Sequence, residues 1–127
     1  MKTKSFVLVL TLSCVSLPAF SGEKLSGDQI KEFFSDKTCD IEVMDRNKNK
    51  HVTAYTSPDG KRIVYIPWKN KKSKRKWWVE GNRFCASHPK KGDFCRDMVP
   101  MGDGVIHAMT DGKHLRTLTN CRDGNQV

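Results

Sequence analysis

Beyond its first twenty residues the sequence has no apolar run long enough to cross a membrane as a helix, which takes about 20 residues. It has no C-x-x-C pair, which argues against the common cysteine-based zinc sites. It has no G-x-S-x-G elbow, which removes the strand-turn-helix serine nucleophile. No repeat and no compositional break is visible, so nothing divides the chain into domains. Acidic residues are in the minority, 14 against 23 lysines and arginines, for a formal charge of +9.

What is present begins with a leader. Lys2 and Lys4 precede an apolar stretch over residues 6–20, and Ala19-Phe20-Ser21 places small residues where a signal peptidase reads. Residues 1–21 are therefore expected to be a secretory signal peptide cleaved after Ser21, with residues 22–127 as a single periplasmic or secreted domain. Two alternatives are an uncleaved anchor and a lipoprotein acylated on Cys14. The second is disfavoured because Leu12 is bulky where a lipobox carries a small residue. Removing the leader takes Lys2 and Lys4 with it and leaves 21 basic against 14 acidic residues, a charge of +7. Such a charge suits phospholipid or lipopolysaccharide head groups, acidic glycans or nucleic acid.

Four cysteines follow the leader: Cys39, Cys85, Cys95 and Cys121. An even count in a small exported domain reads as two disulfides, with three possible connectivities. If Cys85 pairs with Cys95, Cys39 is left for Cys121, and the first strand is tied to the end of the last. Zinc on Cys85, His88 and Cys95 is the competing use, and an oxidising compartment works against it. No metal or cofactor is expected.

The local patterns are mainly β. Ser26 and Gln29 form a capping box, Leu25 can staple onto Ile30, and Ile30, Phe33 and Phe34 share a helical face, so one short N-terminal helix is expected. From Thr38 the period becomes two, with Cys39, Ile41 and Val43 on one face. Asp45 to Lys50 is a polar loop that lacks the glycine and terminal glutamate of a calcium loop. Runs at 51–57 and 61–67 flank Pro58-Asp59-Gly60. Strands at 76–80 and 83–86 flank Gly81-Asn82, and those at 105–110 and 113–119 flank Asp111-Gly112. Alternation puts Trp77 and Val79 inward and Trp78 outward. The tail beyond Cys121 is expected to be mobile. Seven or eight short strands with one helix define a small antiparallel barrel or sandwich.

The densest charge lies at 69–76, with no apolar residue, and is expected to be a long solvated loop between strands. Lys69, Lys71, Lys72, Lys74, Arg75 and Lys76 would attract phosphate or carboxylate groups, with Trp68 and Trp78 as flanking stacking groups.

The order of Leu25-Ser26-Gly27-Asp28-Gln29-Ile30, Ser57-Pro58-Asp59-Gly60-Lys61, Trp77-Trp78-Val79-Glu80-Gly81-Asn82-Arg83-Phe84-Cys85, Cys95-Arg96 and Asp111-Gly112-Lys113 resembles a group of small exported proteobacterial proteins. The resemblance implies export, a β fold and a Cys85–Cys95 disulfide, and adds no mechanism. The lysine-rich run and the pair Cys39 and Cys121 depart from the group's pattern.

The expected function is an exported binding protein for anionic surfaces or glycans. A secreted effector or inhibitor that docks on another protein is the alternative. A small basic nuclease is less favoured. It would draw on His51, His88, His107 and His114. Across the Asp111-Gly112 hairpin a regular register sets His107 opposite Arg116 and His114 opposite Met109, so those two histidines are not expected to meet.

Overall fold

The computed structural model describes residues 22–44 and 50–127. Residues 1–21, expected to be a signal peptide and including Cys14 and Ser21, and residues 45–49 of the segment weighed for calcium, lie outside the described residues. The elements are α1 (Gly27–Phe34), β1 (Lys37–Val43), β2 (Lys50–Thr56), β3 (Lys61–Ile66), a 3-10 turn (Pro67–Lys69), β4 (Lys71–Glu80), β5 (Arg83–Ala86), β6 (Phe94–Gly102), β7 (Val105–Thr110) and β8 (Lys113–Asp123). Each strand pairs antiparallel with the next, and β1 pairs with β8, so the sheet closes into an eight-stranded up-and-down barrel. Closure removes both sheet edges, which would otherwise expose unpaired backbone groups.

The helix forms where its cap predicts. The Ser26 hydroxyl accepts from the Gln29 N–H, and the Gln29 side chain accepts from the Ser26 N–H. Its apolar face then seals one end of the barrel. Leu25, Ile30 and Phe34 are buried, and the Phe34 ring meets Phe84 at 5.3 Å, while Phe84 stacks on Trp77 at 5.5 Å. Trp77 is only 5% exposed, and its indole N–H donates to the Ser57 carbonyl.

The helix start also docks on the β4–β5 hairpin. The Gly27 N–H donates to Asn82 Oδ1 at 2.8 Å, and a Cβ at Gly27 would collide with the Gly81 carbonyl oxygen. Because that obstacle is backbone, Gly27→Ala is expected to destabilise the fold by about 1–3 kcal/mol despite alanine's better helix propensity. A urea titration of the variant checks this, and an unchanged midpoint would contradict the close approach.

Both disulfides are cross-strand. Cys85 and Cys95 are register partners on β5 and β6, and Cys39–Cys121 joins β1 to β8 at the seam that closes the barrel. The seam is irregular there: the register shifts between Thr38 and Asp40, and Asn120 takes φ 50°.

Three expectations are corrected. Residues 71–76 are not a loop but the first part of β4, paired with β3 from Lys61↔Lys76 to Ile66↔Lys71. A strand tolerates such a run because alternate side chains go to solvent and the others reach a polar interior. The tail is tied down rather than mobile. The Gly124 N–H donates to the Asp36 carbonyl, and Thr38 Oγ1 donates to the Gly124 carbonyl and accepts from the Gln126 N–H. Finally, β8 is bulged at Leu115, so Ala108 faces Arg116 and His107 faces Thr117, and the His107 and His114 rings stack at 3.6 Å. The long β6 had no strand signature, because Asp97 and Pro100 interrupt its pattern. Pro100 sits next to a register shift before Gly102.

Candidate functional site

The barrel is not filled. A cavity of about 460 Å³ occupies its interior, within the range of small-molecule sites. At the inner end lie Phe34, Phe84 and Met98. At the other end the cavity reaches the surface between the turn carrying Trp68 and Lys69 and the 87–93 loop carrying His88, Lys91 and Gly92.

The lining mixes aliphatic and cationic side chains. Strands β1, β2 and β3 contribute Ile41, Val43, Val52, Ala54, Val64 and Ile66. Four arginines, Arg62 of β3, Arg75 of β4, Arg96 of β6 and Arg116 of β8, enter the same space, and none of the described lining residues is acidic. Strand alternation explains how they get there. Arg62 has the phase of Val64 and Ile66, Arg75 that of Trp77, Arg96 that of Phe94 and Met98, and Arg116 that of Leu118.

Arg62 and Arg75 are direct cross-strand partners. Arg62 is 9% exposed, its guanidinium lies 5.6 Å from the Phe84 ring centroid, and its Nε has no hydrogen-bond partner. Burial, followed by the charges of Arg75, Arg96 and Arg116, pulls its pKa down to about 9. It is still a cation at neutral pH, and among the described residues the charges acting on it, those of Arg75, Arg96 and Arg116, are all positive. Arg75 donates from Nε to Ser73 Oγ at 3.1 Å, and burial lowers its pKa. Arg96 lies over Phe94 at 4.4 Å and Arg116 donates to the Leu115 carbonyl at 2.8 Å. Both have further interactions of their own, so they add positive potential around the Arg62–Arg75 pair.

The rim carries a titratable latch. His88 Nδ1 accepts from the Lys90 and Lys91 N–H groups at 3.0 and 3.1 Å, which requires an unprotonated Nδ1. Burial, then Arg75, Lys91, Arg116 and Lys90, lowers its pKa below 6.5. A histidine whose folded pKa is depressed stabilises the fold above its unfolded pKa and loses that contribution as pH falls through the folded value. The protection factors of the Lys90 and Lys91 amides are therefore expected to fall as pH is lowered from neutrality through the depressed folded pKa of His88. Protection that stays constant while the His88 ring itself titrates in a nuclear magnetic resonance series would contradict the latch.

The residues expected from the sequence divide between two places. Trp68, Lys69 and Arg75 line the cavity. Trp68 is 48% exposed, with Lys50 Nζ 4.6 Å over its ring. Lys72, Lys74 and Lys76 lie on the outer face of β4, facing Tyr65, Ile63 and Lys61 of β3. Lys71 is exposed beside Ile66, and Trp78 is on the outside with its indole N–H directed to Glu80 Oε1. Arg62, Arg96 and Arg116 were not anticipated, although each breaks an otherwise apolar alternation, which is the signal that marks them.

Glu80, Cys85 and Cys95 approach closely enough to suggest a metal site, but the two sulfurs are joined to each other and offer no thiolate. No described helix is long and apolar enough to cross a membrane. The fold is thus an up-and-down β-barrel with a cationic, half-aliphatic interior. Compared with known proteins, the chain matches no family model, no curated protein and no solved structure.

Proposed function

We propose that the protein is a non-enzymatic binding protein that takes an amphipathic anion into its barrel and works outside the cytoplasm. The carrying observation is Arg62, a buried cation facing the cavity with an unpartnered Nε and with Arg75 directly across the strand pair. A buried charge without a counter-ion costs several kcal/mol, and an entering anion relieves that cost. The aliphatic side chains of β1, β2 and the later part of β3 suit the ligand's apolar part. Two disulfides and the leader-like first 21 residues support export.

This reading keeps the anionic ligand expected from the sequence and moves its site from the lysine-rich surface to the interior. The outer lysines of β4 then serve to raise the local concentration of anions. The test is a fluorescence titration with 8-anilinonaphthalene-1-sulfonate at low salt and at about 0.5 M NaCl, where exposed charges are screened within several ångströms. Saturable one-to-one binding that survives high salt is expected. Binding that disappears with salt would return the site to Lys72, Lys74 and Lys76 and overturn the proposal.

A further inference from the structure

The interior reading leaves the ligand's head group open, and the pairing of Arg62 with Arg75 bears on it. Resting on that reading, we infer that the head group is a phosphate monoester on an aliphatic tail. The first argument is charge. Arg62 and Arg75 come from opposed positions of β3 and β4 and both line the cavity. The two guanidiniums bring two positive charges into one cavity. A carboxylate or sulfate ester neutralises one of them and leaves the other without a counter-charge from the ligand. A phosphate monoester carries about −1.5 to −2 at neutral pH and matches the pair.

The second argument is donors. Arg62 has an unpartnered Nε, whereas the Arg75 Nε is already engaged with Ser73 Oγ. Guanidinium N–H groups bind phosphoryl oxygens in forked pairs, and a phosphate monoester presents three such oxygens where a carboxylate presents two. A head group shared by two arginines is therefore matched better by three oxygens than by two. Arg96 and Arg116, already engaged elsewhere, strengthen the positive potential without being required as direct ligands.

The third argument is the cavity wall beside the pair, which is mostly aliphatic, since β2 is the neighbour of β3. Strands β1 and β2 bring only aliphatic side chains, a cysteine already in a disulfide and Thr56, so free phosphate would leave that surface wet and uncovered. An alkyl chain covers it, at about 25 cal/mol for each Å² removed from water.

The experiment is calorimetric titration of the folded, disulfide-bonded protein at about 0.5 M NaCl with octyl phosphate, octyl sulfate, octanoate and inorganic phosphate. Octyl sulfate has the tetrahedral shape of octyl phosphate but one charge, so it separates charge from geometry. At about pH 7.5 octyl phosphate is expected to bind at least tenfold more tightly than each of the others. At about pH 5, below the second phosphate pKa, its margin over octyl sulfate is expected to close. Arg75→Gln, which leaves one guanidinium of the pair, is expected to reduce the octyl phosphate preference to the level of octyl sulfate.

Equal binding of the three alkyl anions overturns the phosphate assignment and leaves the interior anion site standing. Inorganic phosphate binding as tightly as octyl phosphate overturns the alkyl ester. A preference that survives in Arg75→Gln overturns the role of the pair. No binding by any alkyl anion overturns the interior site itself.

Discussion

Arg62→Met is expected to make the ligand-free protein more stable while abolishing its binding of anions. Methionine fills much of the same volume with no charge, and Arg62 is 9% exposed, faces three other arginines and has an unpartnered Nε. Replacing buried charge by apolar residues of similar size often stabilises by about 1–4 kcal/mol. In a domain of this size 1 kcal/mol moves the melting temperature by roughly 4–8 °C, so the rise is readily measured by scanning calorimetry. The pH dependence has a definite sign. The folded pKa of Arg62 lies near 9, well below that of an ordinary arginine, so between the two the unfolded chain binds more protons and wild-type stability from this group increases with pH. The advantage of Arg62→Met is thus greatest below about pH 9 and shrinks above it. A variant that melts lower and still binds anions would mean that Arg62 is a structural residue. Few surface or core substitutions stabilise a fold while removing its function, and that combination is expected where a site retains a costly group for a ligand.

The second large effect concerns the seam. Removing Cys39–Cys121 with a double alanine variant is expected to cost about 4.5 kcal/mol in the chain-entropy model, because the bond spans 82 residues. Removing Cys85–Cys95, which spans 10, is expected to cost about 2.7 kcal/mol. The difference is amplified by location. Cys39–Cys121 fastens the first strand to the last, where the bulge at Asn120 and Cys121 already interrupts the ladder, whereas β5 and β6 are joined by a short loop. Urea titrations of the two double variants measure both costs, and a larger loss at Cys85–Cys95 would contradict the part assigned to the seam. Against a typical domain stability of about 5–15 kcal/mol, loss of the seam disulfide leaves a marginal fold.

The helix, the hairpins and the inward set Cys39, Ile41, Val43 and Trp77 were legible in the sequence because each rests on a local rule: a capping box, a turn or a period of two. The residues at 71–76 misled because hydrophobic patterning cannot distinguish an exposed charge from one aimed into a cavity. Lys74 and Arg75 are adjacent in sequence, yet one is on the outer face and the other lines the interior. Arg62 carried a better signal, an arginine in phase with Val64 and Ile66, but in a filled barrel that would have been an error of design rather than a site. The His107–His114 stack was hidden for another reason. The two rings meet on the diagonal of the ladder next to the bulge at Leu115, and neither a diagonal contact nor a bulge leaves a reliable trace in composition or alternation.

The central claim is that Arg62 and Arg75 form an anion site inside the barrel. Its most direct measurement is nuclear magnetic resonance of the arginine side-chain Nε–H groups during titration with octyl phosphate at about 0.5 M NaCl. The account predicts that the Arg62 signal, starting from a group without a hydrogen-bond partner, shifts downfield and saturates at one equivalent, together with Arg75. Unmoved Arg62 and Arg75 signals, with changes confined to Lys72, Lys74 and Lys76 on the outer face, would contradict it.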